Sequence, residues 1–114
     1  MGKDATKKDI TTSQNLATGA LSYTTSIGRK FRLQEVAIHF SVAVTETVTV
    51  TRDSITGANY DPPLSKRSMV AEQDFLFRPQ GECDFQDGDE VKVQCTQANL
   101  TGTAYVTIKT REIN

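Results

Sequence analysis

Between positions 31 and 53 the chain alternates apolar and polar side chains almost without interruption. Phe31 and Leu33 share one parity; Val36, Ile38, Phe40, Val42 and Val44 share the other. A period of two is the signature of a strand with one buried face. The phase switch at Gln34 and Glu35 predicts a bulge, because one extra residue flips every later side chain to the opposite face. The segment 31–44 is long for one strand, so it predicts a bend or a crossing between two sheets. Residues 45–53 read as the next strand, with Val48 and Val50 facing one way and Thr47, Thr49 and Thr51 the other.

Shorter alternations follow the same rule. Residues 16–25 predict a strand with Leu21 and Tyr23 on one face. Residues 66–71 and 74–78 predict two short strands. Residues 90–97 carry Val91, Val93 and Cys95 in alternation, and 103–110 carry Ala104, Val106 and Ile108. Turn signals separate them: Gly28, a loop at 57–63 ending in Pro62 and Pro63, Gly81 after Pro79, Asp87-Gly88-Asp89, and 99–102. No helical period is sustained. Sixteen threonines and nine valines, with no tryptophan, favour pleated backbone. The reading is an all-β antiparallel jelly-roll-like β-sandwich of seven to eight strands. Phe40, Val48, Val50, Val93 and Val106 are expected in its core.

Residues 1–15 differ. Ile10 is their one large apolar residue after Met1, and Lys3, Lys7 and Lys8 keep them solvated. They predict a flexible docking arm at 1–15, with a single sandwich domain at 16–114. At 114 residues the chain suits one domain with its own core. The formal net charge of -1 offers no global field for nucleic acid or an anionic membrane. Residues 2–15 contain no apolar stretch of signal-peptide type, and no run approaches the ~20 residues that span a bilayer.

The order FRLQEVAIHFS (31–41), ETVTVTRDS (46–54), GANYD (57–61), DFLFRP (74–79), GDEVKV (88–93) and TAYVTI (103–108) resembles the small jelly-roll capsid decoration proteins of tailed bacteriophages, also called cement or staple proteins. The resemblance covers roughly residues 20–110 and rests on strand patterns and turns. It implies a non-enzymatic virion component on the outer head surface, bridging major capsid subunits. It also implies self-association as a dimer or trimer, and assembly in the host cytoplasm. Carbohydrate-binding or adhesion modules of phage tails and fibres share this type of sandwich and form the alternative.

Candidate chemistry is sparse. His39 is the one histidine, and its parity points it away from Ile38 and Phe40; no nucleophile or zinc motif accompanies it, so it reads as a strand histidine on the polar face. Cys83 and Cys95 flank the Asp87-Gly88 turn, offset from one another if that turn closes a hairpin, and read as reduced small apolar residues. Asp84, Asp87 and Asp89 are weak calcium candidates, lacking the EF-hand spacing. No cofactor is expected. The capsid-contact candidates are Lys3, Lys7, Lys8, Arg29, Lys30, Arg32, Lys66 and Arg67, whose charge would suit an acidic shell, with Ile10 as an apolar anchor. Asn99-Leu100-Thr101 matches a glycosylation acceptor that carries no weight without secretion. Tyr60, Tyr105 and Phe85 are expected in ring packing rather than on a sugar.

Overall fold

The computed structural model describes residues 7–26, 28–54, 57, 63–96 and 101–113. Its strands are β1 (Lys7–Asn15), β2 (Ser22–Thr25), β3 (Phe31–Asp53), β4 (Pro63–Phe77), β5 (Asp84–Phe85), β6 (Glu90–Cys95) and β7 (Thr103–Glu112). All the pairings are antiparallel. The order β1-β7-β3-β6-β2 runs through β3, which also pairs β4 and β5. The result is one curled, open-edged sheet folded over as a jelly-roll-like β-sandwich.

β3 is the organising element. Its 23 residues would reach about 75 Å if straight, yet the longest extent of the molecule is 48 Å, so the strand must curl. Its first part, Phe31 to Phe40, pairs β7; its second, Val48 to Asp53, pairs β6. The change of partner falls at Ser41, Val42 and Ala43, which are exposed in succession. Gly102 sits against this bend. A Cβ there would lie 2.6 Å from Val42 Cγ2, and its φ of +91° is one that side chains resist. The Thr103 N–H donates to Ser41 Oγ (2.8 Å), fixing the corner.

The predicted bulge is present. Leu33 pairs Thr110 and Glu35 pairs Lys109, leaving Gln34 as the extra residue. The two strands expected at 31–44 and 45–53 are one. So are those at 66–71 and 74–78, which β4 joins through Ala71. Ala71 takes a left-handed φ of 52°, and its N–H donates to Thr45 Oγ1 (3.2 Å). A backbone kink within a continuous ladder looks like a turn when only side chains are read. Val42, grouped with the inward parity, is 38% exposed because the bend breaks the alternation. The turn expected at Asp87-Gly88-Asp89 is present, with the Asp89 N–H donating to the Gln86 carbonyl (3.0 Å), but it does not close a hairpin: β5 pairs the start of β3 and β6 pairs its end.

The largest difference lies at the N-terminus. Residues 1–15 were expected as an arm, but Lys7 to Asn15 pair β7 residue by residue, with no register shift. Ile10 packs against the core and the other side chains stay mostly exposed. Apolar burial was the wrong criterion here, because an edge strand is held mainly by its backbone ladder. Lys3 lies outside the described residues.

One core serves both ends of β3. It joins Phe31, Leu33, Val36, Ile38, Phe40 and Val44 to Val48, Val50, Val91, Val93, Val106 and Ile108, with Leu16, Leu21, Met69, Phe75 and Phe85 closing it. The five expected core residues are all buried. Phe40 is fully enclosed, so Phe40→Ala should cost about 3–5 kcal/mol in a denaturant titration. A loss below about 1 kcal/mol would mean that the ring packs loosely.

Candidate interaction surface

The outer face of β4, β3, β7 and β1 is a ladder of cross-strand rows, because residues paired in register point the same way. The first row runs Arg32, Arg111, Lys7, with Asp84 of β5 beside Arg32. The second runs Glu35, Lys109, Asp9. Arg78, just past the end of β4, donates to Glu35 (2.8 Å), and Lys109 Nζ lies 3.8 Å from the same carboxylate. The third is Leu76, Ala37, Thr107, Thr11, and the fourth Asp74, His39, Tyr105, Ser13. Along β3 the face therefore grades from ion pairs to an apolar and aromatic end.

That end is open. Leu76 is 49% exposed and Tyr105 51%. Ala37, His39, Leu76, Tyr105 and Thr107 border a groove of about 270 Å³. A second groove of about 390 Å³ runs over Thr11, Ser13 and Thr107, with Tyr105 the ridge between the two. His39 Nδ1 is 2.8 Å from Asp74 Oδ1, and the rings of His39 and Tyr105 lie 6.5 Å apart between centroids. A carboxylate–imidazole pair is part of a nucleophile-activating set, but Ser13 stands two strands away, about 10 Å at the usual spacing.

Sequence reasoning undervalued this end. Tyr105, expected in ring packing, faces out, and its parity opposite Ala104 and Val106 is the signal. Leu76 is likewise set between Phe75 and Phe77. Phe85 does pack inward, stacked on Phe31 at 4.6 Å. Tyr60, Asn99 and Leu100 lie outside the described residues.

The basic candidates divide into two groups. Lys7, Lys8, Arg29, Lys30 and Arg32 gather at the charged end, joined by Arg111, which the sequence reading missed. Lys66 and Arg67 sit apart, opposite Thr49 and Val48. The arginines engage carboxylates of their own chain. Arg29 meets Glu112 (2.9 Å), Arg32 grips Asp84 through Nε and Nη2 (2.7 and 3.3 Å), and Arg67 pairs Glu72. The Arg32 hydrogen bond holds the Asp84 carboxyl below its ordinary range, and Asp84 in turn raises the guanidinium. Ile10 is half-buried, packed against the core.

The calcium candidates do not converge. Asp84 is committed to Arg32. Asp89 is buried, and its Oδ2 accepts the Gln86 N–H (3.0 Å) in the turn. Among the described residues no three metal-ligating side chains come together.

No protein-family model matches the chain, and no curated protein matches it. Several solved structures are similar to it. A protein of the disulfide-linked pili formed by Bacillus endospore appendages is 16% identical, with a TM-score of 0.50, over 97% of this chain and 90% of that one. The Drosophila NLP core, described for its pentamer formation and histone binding, gives 0.49 at 12% identity over 90% and 97%. The nucleoplasmin-like N-terminal domain of Drosophila FKBP39 gives 0.49 at 9% over 100% and 96%. At these identities the likeness to the pilus protein bears on the fold alone.

Cys83 and Cys95 are buried free thiols. Burial, followed by the Glu46 charge, pushes the Cys95 thiol from 9.0 up to about 12. The folded state thus keeps a proton that the unfolded chain releases near 9. Stability from this thiol is fully present below pH 9 and is lost as pH rises towards 12. Urea titrations across that range should show a steeper alkaline loss for the native chain than for Cys95→Ala. Parallel curves would contradict the assignment.

Proposed function

We propose that this chain is a non-enzymatic structural subunit, a capsid decoration or cement protein that seats on the outside of a tailed-phage head and bridges major capsid subunits. The observation that carries the reading is the graded outer face. Ladders on four strands hold it rigid, so little ordering entropy is lost on docking. Leu76 and Tyr105 supply an apolar and aromatic centre of the kind that dominates interface energetics. The cations around Arg111 supply steering that salt would weaken. Repetition over a symmetric shell then multiplies a modest contact.

The alternative reading, a glycan-binding module of a tail or fibre, is favoured by one observation: Tyr105 stands exposed beside the His39–Asp74 pair, as a ring that could stack on a sugar.

Pelleting purified protein with heads that lack it tests the choice. The native chain should co-sediment at a fixed high copy number per head. Leu76→Asp should reduce the affinity about tenfold or more with an unchanged melting temperature, and raised salt should weaken both. If Leu76→Asp binds like the native chain, this face is not the docking surface. If heads are ignored while a glycan array is bound in a Tyr105-dependent way, the alternative replaces the proposal.

A further inference from the structure

The sheet has four open edges among the described residues, and they are not equally protected. β5 has only two residues. β2 has only four residues. β4 starts on a proline, is kinked at Ala71 and carries Lys66, Arg67, Glu72 and Asp74. Short length, bulges, prolines and charges are the usual devices against strand addition. β1 has nine residues, no proline and an unbroken register with β7, and after Asp9 its sequence ITTSQN carries no charge. Its lysines guard one end only.

The hydrogen-bonding phase of this edge follows from its neighbours. The Leu16 N–H donates to the Gly102 carbonyl (2.9 Å), and Lys8 O accepts the Thr110 hydroxyl (3.0 Å). Even-numbered residues therefore direct their backbone groups at β7. In an antiparallel ladder the odd-numbered ones then turn theirs outward: Lys7, Asp9, Thr11 and Ser13. The Asn15 carbonyl instead closes the next turn by accepting the Thr18 N–H (3.1 Å).

We propose that β1 is the dimerisation edge of this protein, pairing antiparallel with β1 of a second copy about a two-fold axis at Thr11. Only a register in which the paired numbers sum to an even value keeps side chains on their own faces. Centring on Thr11 uses the whole strand. It sets Thr11 against Thr11, Ile10 against Thr12, Asp9 against Ser13, Lys8 against Gln14 and Lys7 against Asn15. No like charges meet, and β-branched residues face one another at the centre. The outward backbone groups of Asp9, Thr11 and Ser13 fall opposite the same groups of the partner, completing about six hydrogen bonds. The two outer faces become one continuous eight-stranded surface with a Tyr105 ridge on each side of the axis. The dimer does not depend on the capsid reading. It would give that reading a surface able to span a joint, and it can stand or fall without heads.

Sedimentation velocity of the full chain tests it. The native protein should sediment as a dimer. Thr11→Lys places like charges face to face at the axis and should weaken the dimer about tenfold; far-UV circular dichroism should remain that of the native fold. Mixing Thr11→Lys with Thr11→Glu should restore dimers. Thr11→Cys should form an intermolecular disulfide on mild oxidation, since directly opposed residues in a hydrogen-bonded pair stand about 5.5 Å apart; Val70→Cys, on the exposed bulge of β4, should not. A native chain that stays monomeric would overturn the proposal. So would dimers indifferent to Thr11→Lys, or a Thr11→Cys variant that crosslinks no better than Val70→Cys.

Discussion

The structure depends on β3 serving two neighbourhoods at once. A strand that pairs β7 along its first half and β6 along its second forces the sheet to curl, and the curl is what encloses the core. Phe40 and Val44 sit on either side of the bend, both fully buried, and Ser41, Val42 and Ala43 take the turn in solvent. Without the bend the inward residues of the two halves would face different directions and the alternating pattern could not produce a single apolar interior.

The two ends of β3 are also tied together. β5 pairs Phe31 and Arg32 at the start of the strand. From its far end, Arg52 donates to the Asp84 carbonyl (2.9 Å) and lies 4.8 Å over the Phe85 ring. Phe85 stacks on Phe31, and the Asp84 carboxylate holds Arg32. A strand of two residues would be negligible as a ladder. It matters because its side chains meet both ends of the longest element. The graded outer face rests on this arrangement, since β3, β7 and β1 keep their rows aligned only while the first half of β3 is held straight.

What could be read from the sequence was what period and parity encode. The all-β class, the bulge at Gln34, the inward set from Val36 to Val106 and the outward aim of His39 all follow from counting in twos. What could not be read was where ladders continue through irregular backbone. Ala71 kinks β4 without ending it, and Thr45 follows Val44 in one strand, so four expected strands are two. β1 escaped because backbone pairing leaves no apolar trace. Of the interaction face, the lysines and arginines were visible as charges. The neutralisation of Arg29 by Glu112 and of Arg32 by Asp84 was not, because those partners lie far apart in the chain; Arg67 meets Glu72 only because of the kink at Ala71 between them. Tyr105 was visible only as a parity that composition argued against.

If β3 makes the sandwich one cooperative unit, its two halves must open together. Native-state hydrogen exchange at low denaturant measures this directly. Amides of Ala37, which faces Thr107 of β7, and of Thr49, which faces Gln94 of β6, should converge on one opening free energy equal to that of global unfolding. Two separate plateaus, with one half exchanging through a lower-energy opening while the other stays protected, would contradict the account.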